Sequence, residues 1–142
     1  MQHPHTLDRG VTLVEMMVVL AIAAIIIGIG VASLDTHDAK ARSAAFTLKT
    51  RLMGAKSTAV KLNQDVQVNF NAAEDAYNAT TAGGTLLFST QLENGIDLNS
   101  NSTQVTFTPL GTADDDPDVQ LVGLSGRSYT ISINNVGRIR LQ

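Results

Sequence analysis

The chain has 142 residues, a formal net charge of −3 and no cysteine. This length is enough for about one domain, and the lack of cysteine excludes disulfides and thiolate metal ligands. Residues 39–62 carry six basic residues and no acid, whereas residues 63–142 carry nine acids and three arginines; a uniformly basic nucleic-acid-binding protein does not have this distribution.

Residues 1–10 are polar and end in Arg9-Gly10, directly before a long apolar segment. They are predicted to be a leader peptide. A conventional secretory signal has a shorter apolar region, of about 7–15 residues, and then a small-x-small cleavage site. The sequence that follows the apolar segment here matches such a site poorly, so an ordinary signal peptide is the less favoured alternative.

The apolar segment at residues 11–34 contains one charged side chain, Glu15. A helix over this segment would be roughly 35 Å long at about 1.5 Å per residue, enough to cross a hydrocarbon core of about 30 Å. The segment is therefore predicted to be a transmembrane helix. Arg9 on the short leader side favours a cytoplasmic N-terminus.

An amphipathic continuation of this helix is predicted at about residues 39–62. Apolar residues recur there at spacings of four and three, which places them on one face of the helix. We predict that this face packs on the chain's own domain; a coiled-coil partner is the alternative, but a seam made mostly of alanine is weak. The apolar stripe consists of Ala41, Ala45, Leu48, Leu52, Ala55, Ala59 and Leu62.

Short alternations of apolar and polar residues, separated by turn residues, occupy the chain from about residue 65 to residue 142. Strands of this length and spacing predict a small antiparallel β domain. The predicted strands are residues 66–70, 76–80, 86–88, 104–108, 119–122, 129–133 and 137–141, with turns at Asn94-Gly95 and Asn134-Asn135.

The junction Arg9-Gly10 and the residues after it, VTLVEMMVVLAIAAIIIGIG, resemble the signal of type IV prepilins and type II secretion pseudopilins. Four features of that signal coincide here: a short charged leader, Gly10 before the cleavage site, Glu15 at the fifth mature position and a long apolar run. The resemblance implies that a prepilin peptidase cleaves after Gly10 and methylates the new amino terminus, Val11. Most members have Phe at that position, so Val11 departs from the pattern.

The position of Glu15 within an apolar segment is also unusual on physical grounds. A carboxylate at the centre of a bilayer costs about 2.5–3.5 kcal/mol on insertion scales, so such residues usually have a partner. It could instead reach the lipid headgroups or interact favourably with the helix N-terminus. The resemblance implies that Glu15 pairs with the amino group of a neighbouring subunit's first residue and sets the register of assembly.

Residues 107–111 (Phe-Thr-Pro-Leu-Gly) and 137–140 (Gly-Arg-Ile-Arg) are similar to the GspH/FimT group of minor pseudopilins and minor pilins. This resemblance implies an α+β fold, in which a long N-terminal helix packs on a small antiparallel β-sandwich-like head at residues 35–142. It also implies a single-pass protein of the bacterial inner membrane with its head in the periplasm, and the prepilin peptidase and other pilins as partners.

Two functions are compatible with that resemblance. The leading hypothesis is a minor pseudopilin of a type II secretion system, a structural subunit of a periplasmic filament that assists protein export. The alternative is a minor pilin of a type IV pilus, which acts in pilus assembly or in DNA binding and uptake.

Arg138 and Arg140 are the best candidates for nucleic-acid contacts, with Arg127 as a third. Alternate residues of a strand project from the same face, so the first two would lie side by side and could hold phosphates. A solvated edge strand whose charges discourage aggregation is the favoured explanation. DNA is therefore a partner that the sequence does not favour.

The acidic residues 114–118 (Asp-Asp-Asp-Pro-Asp) have the oxygen density that suits Ca²⁺, but not the spacing of an EF-hand. A solvated loop is the preferred interpretation. The sequence contains no nucleophile motif, phosphate-binding glycine loop or metal-ligand cluster. We therefore expect no cofactor, no metal site and no enzymatic activity.

Overall fold

The computed structural model describes residues 12–142, apart from the side chains of residues 28–37. The predicted leader, residues 1–10, and the predicted cleavage site between Gly10 and Val11 lie outside this part of the chain. The chain divides into two compact units, with the boundary between Asp35 and Thr36.

Helix α1 runs from Leu13 to Leu62. From Leu13 to Ile27, its large apolar side chains are 52–76% exposed. Among the residues described, no helix is long and apolar enough to be identified as a membrane span. Of the predicted transmembrane segment, residue 11 and the side chains of residues 28–34 lie outside the described part, and the segment stays a prediction.

The apolar stripe of α1 forms one side of the core of the second unit, Thr36–Gln142. Six of its seven residues are at most 1% exposed: Ala41, Ala45, Leu48, Leu52, Ala55 and Ala59. The prediction for Leu62 is wrong, because its side chain is 47% exposed. It is the last helical residue, and the chain leaves α1 directly after it.

Asn63 ends the helix with a left-handed backbone, at φ 51°. Its N–H donates to the carbonyl of Val60 at 3.4 Å, and the N–H of Gln64 donates to the carbonyl of Ala59 at 3.2 Å. These two hydrogen bonds form a Schellman motif, which satisfies carbonyls that the end of a helix leaves without partners.

Two four-stranded antiparallel sheets follow α1 in the described chain, in the orders β3-β2-β1-β5 and β4-β6-β7-β8. The α+β prediction of a helix packed on antiparallel sheets is therefore confirmed. The strands are β1 Val66–Asn71, β2 Ala76–Thr81, β3 Leu86–Gln91, β4 Ile96–Ser100, β5 Gln104–Phe107, β6 Asp118–Gly123, β7 Ser128–Ile133 and β8 Ile139–Leu141.

Alternate residues of the strands complete the core, as the pleat of a strand requires. Val66, Val68 and Phe70 of β1 are buried, and so are Ile131 and Ile133 of β7. Polar residues of the same strands lie between them. The helix stripe and both sheets thus share one hydrophobic cluster, which fixes the position of each strand relative to α1.

Tyr77 brings a polar group into this core. The residue is 1% exposed, and its hydroxyl has no hydrogen-bond partner among the described residues. Burial raises the pKa of Tyr77, and the nearby Thr90 side chain and Arg51 charge offset part of that rise. The ring packs edge-on against Phe88, with 6.1 Å between centroids, so its role here is in packing.

Candidate functional site

The start of α1 has the N-cap half of a capping box. The side-chain oxygen of Thr12 accepts a hydrogen bond from the N–H of Glu15 at 3.2 Å, and the carbonyl of Thr12 accepts one from Met16 at 3.2 Å. A Thr followed three residues later by Glu is the sequence signature of this motif. The spacing of Thr12 and Glu15 is the signal in the sequence from which this N-cap could have been predicted.

Glu15 is an exposed acidic residue in the first turn of the helix. Its charge is favourable there because the free N–H groups of the turn carry partial positive charge. The carboxylate forms no salt bridge among the described residues. The structure therefore supports the local role at the helix N-terminus, and pairing with a neighbouring subunit stays a prediction.

Arg138 and Arg140 lie at the C-terminal hairpin formed by β7 and β8. Both are exposed, and neither forms an ion pair with the side chains that the structure describes. Arg138 lies directly before β8, and Arg140 lies within it, opposite Ser132. The two arginines are thus close in sequence at the end of the chain, and their joint contact with phosphates stays a prediction.

Arg127 lies apart from that pair, next to the first residue of β7. Its guanidinium contacts the Asp38 carboxylate at 2.8 Å, and the Ser125 hydroxyl also donates to that carboxylate. Arg127 precedes β7 and Arg138 follows its other end. The two arginines are therefore separated by the length of a six-residue strand, roughly 20 Å. Arg127 therefore fixes α1 to the β6–β7 turn and does not extend the cluster of Arg138 and Arg140.

The hairpin is held against α1 by a lysine and two glycines. Lys56 Nζ donates to the carbonyl of Gly137 at 2.8 Å, across 81 residues of sequence. Gly137 has φ 71°, and a Cβ at this position would lie 2.1 Å from the carbonyl oxygen of Gly111. No other residue fits this close approach of two backbones. Gly137 thus has a structural role in positioning Arg138.

The acidic segment at 114–118 forms part of a hydrogen-bonded loop. Asp114 Oδ1 accepts a hydrogen bond from the N–H of Thr106 at 2.6 Å. Hydrogen bonding by the Ser102 side chain and the Asp116 N–H lowers the pKa of Asp115. Among the side chains that the structure describes, no group of three acidic or histidine residues is arranged to hold a metal ion.

The architecture defines a class of protein. A long N-terminal helix packs its second half on antiparallel sheets, and its first half exposes apolar side chains; this is a type IV pilin-like fold. Residues 6–31 match the prokaryotic N-terminal methylation motif. The model of the type II transport protein GspH family matches residues 44–137, about two thirds of the chain. The chain therefore belongs to the GspH family.

Solved structures of two pilin-like proteins share this fold. The type IV minor pilin FimU of Pseudomonas aeruginosa has 20% identity and a TM-score of 0.63, with 75% of this chain and 91% of that chain covered. The minor pseudopilin EpsH of the Vibrio cholerae type 2 secretion system has 15% identity and a TM-score of 0.64, with 72% and 96% covered. Comparison with curated protein sequences found no significant match.

The family and fold are those of structural, pilin-like subunits. The identification of the pilin-like family and its GspH/FimT group from the sequence is confirmed. The motif at residues 6–31 implies processing by a prepilin peptidase, and the fold indicates other pilins as neighbours in a filament.

Proposed function

We propose that the chain is a minor pseudopilin of a type II secretion system. Its head lies in the periplasm, and residues 11–34 anchor it in the inner membrane before they enter a short filament that assists protein export. The observation that carries this proposal is α1: one helix has a stripe buried in its own head and, nearer its N-terminus, large apolar side chains exposed. Such exposed apolar surface is expected to be covered by lipid or by other subunits.

The experiment that tests this proposal is deletion of the chromosomal gene, with secreted proteins, surface pili and DNA uptake measured in parallel. If the chain is a pseudopilin, the deletion strain should lose secreted proteins while its piliation and DNA uptake stay unchanged. Complementation with the intact gene controls for effects on neighbouring genes. Normal secretion together with a loss of pili or of DNA uptake would contradict the proposal and support a minor pilin.

The second candidate, a minor pilin that contacts DNA, is favoured by one observation. Arg138 and Arg140 are both exposed on the C-terminal hairpin, without an acidic partner in the described part of the chain. Two exposed arginines two residues apart in sequence could each contact a phosphate. The rest of the β domain is acidic, with nine acids against three arginines in residues 63–142, which opposes long-range attraction of DNA.

We expect the head, residues 36–142, to bind duplex DNA only weakly at low salt and not detectably at physiological salt. Two phosphate contacts give a slope of about −2 for log affinity against log salt. Fluorescence anisotropy with a labelled duplex measures this binding at both salt concentrations. The test variant combines Arg138→Ala with Arg140→Ala, and Arg127→Ala is the matched control. Binding that persists at physiological salt and is lost in the double variant alone would make the DNA-binding pilin the better assignment.

A further inference from the structure

A groove of about 590 Å³ lies between the last turns of α1 and strand β8. Its apolar lining comes from Met53 and Val60 on the helix and Ile139 on the strand. Met53 and Val60 are 51% and 50% exposed. We call this site the β8–α1 groove. Exposed apolar side chains in a concave site favour a ligand that brings apolar groups of its own.

One side of the groove includes Ile139 of β8, whose outer edge has no neighbouring strand among the described residues. Strand β8 is the last strand of its sheet. Thr130 and Gln142 exchange two backbone hydrogen bonds, at 3.2 and 2.9 Å. Arg140, two residues before Gln142 and opposite Ser132, therefore also directs its backbone groups toward β7. In an antiparallel ladder, the alternate residues, Ile139 and Leu141, direct their N–H and carbonyl groups away from β7. No other backbone group in the described part of the chain bonds to them, so they can pair with an added strand.

The charges around the groove have one sign. Lys56, Lys61 and Arg138 line it, and no acidic residue does. None of the three forms an ion pair within the described residues. Lys56 is half-buried and uses one of its three N–H groups on the Gly137 carbonyl. A half-buried ammonium without a counter-charge gains more from an added carboxylate than an exposed lysine does.

We propose that the β8–α1 groove binds an extended acidic segment of another protein, which pairs with β8 as an additional strand. The segment places apolar side chains against Met53, Val60 and Ile139, and its carboxylates contact Lys56, Lys61 and Arg138. Strand addition supplies main-chain hydrogen bonds, and alternate side chains supply the specificity. Nucleic acid would use the cations but neither the strand edge nor the apolar lining. This proposal does not depend on which secretion or pilus system contains the protein.

Four probes test the parts of this proposal separately on the full-length chain in nonionic detergent, with fluorescence anisotropy as the readout. The first is a short labelled peptide in which valine and glutamate take turns at the positions of one strand face, with threonine at the positions between them, so that both side-chain types face the groove. The second replaces glutamate with glutamine, and the third replaces valine with serine. The fourth keeps the sequence of the first but is N-methylated at every backbone amide, so that it has no N–H to donate from either edge and cannot pair as a strand. A short duplex DNA serves as the competing class of ligand.

Saturable binding of the valine–glutamate peptide is expected, with at least about tenfold weaker binding for each modified peptide, because each loses hydrogen bonds, charge or apolar contact. Lys61→Gln combined with Arg138→Gln should weaken binding by a similar factor. Lys49→Gln, which removes a charge from α1 outside the groove, should leave it unchanged. Lys56 is left intact in these variants because it also holds Gly137.

Three results would overturn the proposal. The first is no saturable binding of the valine–glutamate peptide. The second is equal binding of the N-methylated peptide, which would show attraction by charge without strand pairing. The third is tighter binding of duplex DNA, with the same loss in the Lys61 and Arg138 variant, which would assign the groove to nucleic acid.

Discussion

Leu52→Asp is expected to destabilise the head by about 4 kcal/mol or more. Leu52 is fully buried in the core that α1 shares with both sheets. Removing a buried leucine side chain costs about 2–5 kcal/mol, and an unpaired buried carboxylate adds to that cost. Urea unfolding of residues 36–142, followed by circular dichroism, measures the change. The fragment is expected to show helix and strand signals and to unfold cooperatively.

The neighbouring residue provides a matched control. Met53 is 51% exposed, so Met53→Asp introduces the same charge one position along the helix and should change the free energy of unfolding by about 1 kcal/mol or less. Equal stability losses in the two variants would mean that the substitution acts through helix propensity. A negligible effect of Leu52→Asp would contradict the burial of the stripe in the chain's own head.

Glu15→Val is expected to reduce incorporation into filaments by more than about tenfold, while the head keeps its stability. The resemblance to prepilins pairs this carboxylate with a neighbouring subunit's amino terminus, and removing one partner of a buried ion pair costs about 3–5 kcal/mol. The head is unaffected because Glu15 lies in the other unit of the chain. Crosslinking of filaments in intact cells measures incorporation, with membrane insertion checked by fractionation.

Glu15→Gln separates the two roles that the residue can have. Glutamine is accepted at this position of a capping box, so the helix start with Thr12 is retained while the negative charge is lost. We expect Glu15→Gln to fail in assembly as Glu15→Val does. Normal incorporation of the glutamine variant would mean that the local capping role matters and that the ion pair between subunits does not.

The helical part of the fold was predictable because its pattern is local. Residues spaced by four and three must lie on one helix face, and Ala45, Leu48 and Leu52 are buried together as expected. The last buried residue of the stripe could not be predicted from the spacing alone. Leu62 fits the spacing, but its burial depends on where the helix stops, and the left-handed Asn63 ends it at that point.

The strand prediction failed where few residues carried the pattern. Strand β4, Ile96–Ser100, was not predicted, because only Ile96 and Leu98 alternate with polar residues there. Its pairing with β6 provides the context that the local sequence lacks. At the other end of the domain, β8 begins at Ile139 and not at residue 137, because the left-handed Gly137 belongs to the turn before it.

The long-range contacts around the arginines could not be read from sequence. The expected pairing of Arg138 and Arg140 rests on strand periodicity, although Arg138 lies before β8, whereas the separation of Arg127 depends on the direction of β7. The contact of Lys56 with Gly137 joins residues 81 positions apart. No local pattern specifies such a contact, and the fixed place of Arg138 beside α1 depends on it.

If a prepilin peptidase matures this chain for assembly, the intact mass of the membrane-extracted protein will show the loss of residues 1–10. Cleavage is expected between Gly10 and Val11, with or without one added methyl group on Val11. Cells that lack the peptidase should retain the full-length mass. A mature chain that begins beyond Leu34 would exclude maturation by this peptidase, because an ordinary signal peptide would then have been removed.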